Sequence, residues 1–160
     1  MRKQVFSLKY CPECGMALSG PDLLCPICDG KKYSRYYGEY INSDEAVYSK
    51  KHDDYFYEKD VVYSEYYDDY IRKDIAQKVY NMATDEDDYV PKDKSVYSTY
   101  YEKWLIFGQT VYSFYYDTYL YADPERTAYS KYLNSNIDIG DDDIVYANGD
   151  YIPKNALSNS

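Results

Sequence analysis

The sequence predicts an all-β chain built in two parts: a small cysteine module over residues 1–31, then a linear array of about eight β-hairpin repeats over 32–160. Three observations lead there. Two Cys-x-x-Cys pairs stand ten residues apart near the start, a tyrosine marker recurs eight times behind them, and turn-forming residues fall at similar places in each copy.

The cysteines come first. Cys11-Pro12-Glu13-Cys14-Gly15 is followed by Cys25-Pro26-Ile27-Cys28-Asp29-Gly30. Two thiolates three positions apart grip one metal from a tight turn, and a second such turn completes a tetrahedron. Four thiolates suit zinc, and a closed shell leaves no position for a reacting water, so the expected cofactor is one structural Zn²⁺ on Cys11, Cys14, Cys25 and Cys28. Gly15 supplies the positive φ that the turn after Cys14 needs. A redox dithiol or an iron centre is the competing reading, but no thioredoxin-like context surrounds either pair. Closely paired cysteines suit a reducing compartment, hence an expected cytoplasmic location.

This stretch resembles the short zinc-ribbon family with paired CPxCG-like knuckles, found at bacterial and archaeal N-termini. It departs at Asp29, where Gly is usual, with Gly30 one place late. The resemblance implies a nucleic-acid contact, a docking module or a folding staple.

The marker tyrosines are Tyr33, Tyr48, Tyr63, Tyr80, Tyr97, Tyr112, Tyr129 and Tyr146, at intervals of 15, 15, 17, 17, 15, 17 and 17 residues. The clearest copies read Tyr33-Ser-Arg-Tyr-Tyr-Gly-Glu-Tyr40, Tyr63-Ser-Glu-Tyr-Tyr-Asp-Asp-Tyr70 and Tyr97-Ser-Thr-Tyr-Tyr-Glu-Lys-Trp104. Tyr63, Tyr66, Tyr67 and Tyr70 also form a helical i, i+3, i+4, i+7 stripe, and residues 95–122 are the strongest helix candidate. The period is too short for a helix pair, however. It fits two strands, a turn and a link, and insertion of two residues preserves strand alternation. Turn signals at Gly38-Glu39, Asp53-Asp54, Asp68-Asp69 and Asn148-Gly149 agree.

With the turn centred on Asp68-Asp69, Tyr67 faces Tyr70 across the hairpin. The same register pairs Tyr37 with Tyr40, Tyr101 with Trp104, and Tyr116 with Tyr119, and these eight residues form the expected repeat core. A second register follows from laying Tyr10-Cys-Pro-Glu-Cys-Gly-Met-Ala-Leu18 over Tyr33-Ser-Arg-Tyr-Tyr-Gly-Glu-Tyr-Ile41. It puts Cys11 on Ser34 and Gly15 on Gly38, and moves the turn inside Ser-x-x-Tyr. Packed aromatics would then replace the metal as local staple. The copies resemble tandem Val-Tyr-Ser-x-Tyr-Tyr-x-x-Tyr repeats of uncharacterised bacterial and phage proteins, a likeness that implies no activity and admits a virion-associated location for a viral source.

Composition narrows the function classes. The net charge is −10, yet residues 1–32 carry about +2, leaving about −12 for the rest. A phosphate-rich partner wants a basic face, so nucleic acid is expected only at the N-terminal module, and an anionic membrane not at all. Tyrosine occurs 26 times against four Phe and one Trp. Disordered chains are poor in aromatics, so order is expected over most of the length. No apolar run approaches the ~18 residues of a membrane span.

Catalytic constellations are sparse. His52 is the only histidine and occupies the place Tyr67 holds one repeat later. The serines recur as structural residues, and the cysteines are committed to metal. Asp85-Glu86-Asp87-Asp88 and Asp141-Asp142-Asp143 read as solvated turns, or as calcium sites without an EF-hand pattern. The expected function is therefore a non-catalytic structural or protein-interaction protein, its repeat array a binding or assembly surface. The alternative is a nucleic-acid-associated accessory factor touching DNA or RNA through the zinc ribbon.

Overall fold

A computed structural model describes residues 9, 10, 15, 17, 18, 25 and 30–157 of the chain. It is mostly β, and eight hairpins follow one another from Lys31 to Pro153. They pair β3 (Lys31–Ser34) with β4 (Glu39–Asn42), β5 (Ala46–Ser49) with β6 (Asp54–Tyr57), and β7 (Val61–Ser64) with β8 (Asp69–Arg72). Next come β9 (Ala76–Asn81) with β10 (Glu86–Pro91) and β11 (Ser95–Ser98) with β12 (Lys103–Ile106). The last three are β13 (Thr110–Ser113) with β14 (Thr118–Tyr121), β15 (Thr127–Ser130) with β16 (Ser135–Asp138), and β17 (Ile144–Ala147) with β18 (Asp150–Pro153). Before them, β1 (Lys9–Tyr10) pairs with β2 (Ala17–Leu18). The helix candidate over 95–122 is instead four strands and a single 3-10 turn at Phe107–Gln109, because its aromatic stripe is split between strands and turns. The four-cysteine expectation lies outside the described residues except for Cys25, which is buried.

The chain divides into two compact units, Met1–Val62 with Asp69–Asp74, and Tyr63–Asp68 with Ile75–Ser160.

The register differs from the one centred on Asp68-Asp69 and matches the alternative. Ser34 pairs with Glu39 and Tyr33 with Tyr40, leaving a four-residue loop at 35–38. Likewise Tyr48 faces Tyr55, Tyr97 faces Trp104, and Tyr112 faces Tyr119. The acid or glycine read as the turn centre is the last loop residue, in the left-handed region: Gly38 at φ 68, Asp53 at 48, Asp68 at 50, Asp117 at 54. Gly, Asp and Asn tolerate that conformation best. The knuckle alignment holds in this geometry as well. Tyr10 pairs with Ala17 as Tyr33 pairs with Tyr40, and Gly15 sits at φ 75 where Gly38 sits at 68.

A buried serine closes each four-residue loop in most hairpins. Its Oγ accepts from the N–H three residues on, as Ser34 does from Tyr37 at 3.3 Å and Ser98 from Tyr101 at 3.2 Å. The same hydroxyl donates forward to the next hairpin. Ser49 reaches the Tyr70 carbonyl at 2.7 Å in the first unit, and Ser98 and Ser130 reach those of Tyr119 and Tyr151 at 2.7 and 2.6 Å in the second. A small residue on the next return strand then accepts the loop N–H groups. Asp54 takes Arg35 and Tyr36 at 2.9 and 2.8 Å, and Asp69 takes Lys50 and Lys51 at 2.9 and 2.8 Å. Asp88 takes Glu65 and Tyr66, each at 2.9 Å. Thr118, Ser135 and Asp150 serve the later loops. Orphan backbone donors are thus satisfied by the following hairpin.

The interior is mostly aliphatic. Ile41, Phe56, Ile71, Val90, Leu105, Leu120 and Ile137 are buried, with the serines beside them. The expected tyrosine core is not the interior: Tyr40, Tyr67 and Trp104 are exposed, and Tyr37, Tyr70, Tyr101, Tyr116 and Tyr119 half-buried. A phenol keeps its ring packed while its hydroxyl reaches polar partners, which places it at the side of a thin hairpin rather than inside. The 17-residue intervals have two origins. Around Tyr80 both strands of the hairpin are six residues long, whereas after β14 and β16 the links are longer.

Candidate functional site

Six of the eight hairpins from Lys31 to Pro153 form two-stranded sheets of their own, and the junction of the other two is different. Leu105 of β12 pairs in parallel with Tyr80 of β9, fusing two hairpins into a sheet ordered β10-β9-β12-β11. On its face lies an open trough of about 410 Å³ lined by Gln77, Lys78, Val79, Tyr80, Asp87, Tyr97, Glu102, Lys103 and Trp104. Tyr97 and Trp104 meet edge to face at 5.5 Å and 64°, both nearly half exposed. Lys103 Nζ stands 4.6 Å over the Tyr80 ring, and Lys78 pairs with Asp87 at 3.5 Å on the rim.

The hydroxyls explain why this trough is unlike the other ring pairs. Tyr48, Tyr63, Tyr80 and Tyr112 each donate to the left-handed loop acid of their own hairpin, Asp53, Asp68, Asp85 and Asp117. Tyr129 does the same to Asn134. These bonds hold the Tyr48, Tyr80 and Tyr112 hydroxyls above the ordinary phenol range, with desolvation adding to the shift. In the fifth hairpin the loop residue is Glu102 at φ 57, and Tyr97 Oη and Trp104 Nε1 find no hydrogen-bond partner among the described residues.

The remaining expected residues serve the packing. Tyr101 stacks on Tyr121 at 4.0 Å and 16°. Tyr116 lies 4.8 Å from Tyr100 and donates to Asp141 at 2.5 Å, while Tyr100 donates to Asp138 at 2.6 Å. Burial first, then those carboxylates, raise both phenols well above their usual range. Tyr37 is raised in the same way, by burial and then by its bond to Asp60. Tyr119 packs on Tyr112 at 5.2 Å, and Tyr40 on Tyr33 at 5.0 Å. Tyr67 lies in its loop against Tyr66 at 5.0 Å, and Tyr70 lies on β8. Phenols raised in this way stay protonated at neutral pH and supply no tyrosinate.

His52 rests on Phe56 with ring centroids 5.3 Å apart, and its buried Nε2 meets no hydrogen-bond partner among the described residues. Burial, then Arg72 and Lys51, lower its pKa. Nearby Ser49 spends its hydroxyl on Tyr70, so the pair forms no proton relay. The acidic runs are not merely solvated turns: Asp88 is buried and bonds Asn81, Glu65, Tyr66 and Tyr89. Among the described residues no group of three His, Cys, Asp or Glu is arranged to hold a metal ion. No described helix is long and apolar enough to cross a membrane.

Sequence reasoning missed the inward acceptors, Asp54, Asp69, Asp88, Thr118, Ser135 and Asp150. The legible signal was the small polar residue that follows the left-handed one in most copies. No protein-family model matches this chain, nor does any curated protein or solved structure.

Proposed function

We propose that this chain is a non-catalytic interaction protein whose hairpin array presents tyrosine and tryptophan rings as a binding or assembly surface, capped by a zinc ribbon. One observation carries the reading: cross-strand ring pairs recur on several hairpins, Tyr33 with Tyr40, Tyr48 with Tyr55, Tyr97 with Trp104, Tyr112 with Tyr119 and Tyr146 with Tyr151, each at least partly exposed. Their scaffold is held by serine and carboxylate bonds that do not involve those faces. Aromatic rings exposed on a rigid frame contribute large contact area at low entropic cost, which is why they dominate protein-binding hot spots.

The zinc part rests on donor chemistry. Four thiolates in two knuckles fit one structural Zn²⁺ on Cys11, Cys14, Cys25 and Cys28. The β1–β2 pair brackets the first knuckle, and Gly15 adopts the left-handed turn it needs. The ion would tie the two knuckles and supply no reaction.

The test is a comparison of captured partners. Wild type, Tyr97→Ala/Trp104→Ala and Tyr146→Ala/Tyr151→Ala are immobilised and exposed to the same cell extract. Loss of a saturable partner in either ring variant, at unchanged melting temperature, supports the reading. Retention of all wild-type partners by both variants refutes it.

A further inference from the structure

The trough beside Trp104 sits where the repeat breaks its own pattern at three consecutive positions. Glu102 stands where Asp53, Asp68, Asp85 and Asp117 stand in other hairpins. Lys103 replaces the small inward acceptor that is Asp54, Asp69 or Thr118 elsewhere, and Trp104 replaces the tyrosine of Tyr55 or Tyr119. Each change acts on the trough. Glu102 leaves the Tyr97 hydroxyl unclaimed, Lys103 turns out to cover Tyr80, and Trp104 offers the broadest ring in the chain together with a free N–H. Local departures from an otherwise consistent pattern mark function more often than packing.

These features define a ligand. The walls are aromatic and the unclaimed groups, Tyr97 O–H and Trp104 N–H, are donors. The rim is electrically balanced, Lys78 and Lys103 against Asp87 and Glu102, in a chain whose net charge is −10. A strongly basic or acidic partner gains little from a balanced rim on which Lys78 is already paired with Asp87. A proline-rich strand fits each term. Proline has a carbonyl but no N–H, its polyproline II backbone leaves every carbonyl unpaired, and its rings pack flat in aromatic grooves at low ordering cost.

We propose that the trough between Tyr80, Tyr97 and Trp104 binds a proline-rich segment of a partner protein in the polyproline II conformation. The proposal rests on reading the array as a protein-binding surface and names the chemistry of what it binds.

Trp104 is the single tryptophan, so its emission reports this site alone. The full-length protein is titrated with a dye-labelled decaproline peptide, followed by anisotropy and by Trp104 fluorescence. Saturable binding that changes Trp104 emission is the expected result. Tyr97→Phe, which keeps the ring and the fold, weakens it about five- to tenfold, the worth of one neutral hydrogen bond. Trp104→Ala weakens it about thirtyfold or more, as for a central aromatic anchor. Tyr146→Phe leaves it unchanged. No saturable binding, or equal binding by the Tyr97 and Trp104 variants, overturns the proposal. So does an oligosaccharide or a decalysine peptide that perturbs Trp104 at lower concentration. If partner capture depends on Trp104 while decaproline fails, only the ligand class falls; the surface reading falls with it only if both ring variants also retain every wild-type partner.

Discussion

Replacing Asp88 by Ala tests whether carboxylates, rather than rings, join successive hairpins. The side chain is buried and accepts from Glu65 N and Tyr66 N in the preceding loop, from the Asn81 amide, and from Tyr89 N, at 2.7–2.9 Å. Hydrogen bonds to a charged acceptor contribute ~1.5–3 kcal/mol each, and an orphaned buried amide costs ~1–3 kcal/mol. Two loop bonds and the stranded Asn81 amide set the gross loss. Water reaching the exposed Glu65 and Tyr66 restores part of it, and the carboxylate no longer pays its own desolvation. We expect a net destabilisation of about 3–5 kcal/mol, a large fraction of the ~5–15 kcal/mol that holds an ordinary domain. Asp88→Asn keeps the shape but points one donor at other donors, so it should cost at least half as much. Asp117→Asn, at an exposed left-handed position that Asn also tolerates, should stay within about 0.5 kcal/mol. The assay is urea unfolding at constant m, with amide exchange at Glu65 and Tyr66. A cost under ~1 kcal/mol for Asp88→Ala, with both amides protected as in wild type, would falsify the clamp.

Purified protein should carry one zinc per chain, and Cys11→Ser/Cys14→Ser should lose it because two thiolates cannot close the shell; iron absorption or negligible metal content contradicts this. Leu120→Ala, at a fully buried site, should cost ~2–5 kcal/mol, whereas Tyr129→Ala, more than half exposed, should cost under ~1 kcal/mol. Equal costs by chemical denaturation would return the core to the tyrosines. Tyr37, Tyr100 and Tyr116 have raised folded-state pKa values, from burial and then from Asp60, Asp138 and Asp141. Their contribution is fully present below the unfolded phenol value near 10 and is lost as pH rises through the folded values. Tyrosinate absorbance should therefore rise in two stages, the later one coinciding with loss of structure. A single stage near the ordinary phenol value, with the fold intact, would contradict those contacts.

Much of the architecture was legible because the marker tyrosine keeps its place. Eight markers gave eight hairpins, and the turn signals at Gly38, Asp53 and Asp68 fell on residues that do adopt the left-handed conformation. The turn centre was misplaced because Asp68 and Asp69 look alike in sequence. Asp68 ends the loop in solvent while Asp69 faces inward, and what separates them is a pair of N–H donors on Lys50 and Lys51, 19 and 18 residues upstream. Local propensity cannot see that partner. The overlay of Cys11 on Ser34 did see it, since a knuckle and a serine-closed loop demand the same tight backbone. The trough was invisible for a related reason. Trp104 reads as one more aromatic until Tyr97 is known to be its cross-strand partner and Glu102 is known not to bind the hydroxyl.

The hairpin β17–β18 turns differently from the rest. Ala147 pairs directly with Asp150, so only Asn148 and Gly149 span the reversal, at φ 55 and 81. A two-residue Asn-Gly turn of this kind is among the strongest self-sufficient reversals in proteins. It has no serine-closed loop and asks nothing of a later segment, while Asp150 accepts from Lys131 and Tyr132 behind it. During vectorial synthesis most earlier loops would emerge from the ribosome with N–H groups unmatched until the next return strand followed. Those nascent hairpins would wait on their successors for completion. The Asn148–Gly149 reversal ends that queue: it closes by itself and, through Asp150, closes the loop that came before it.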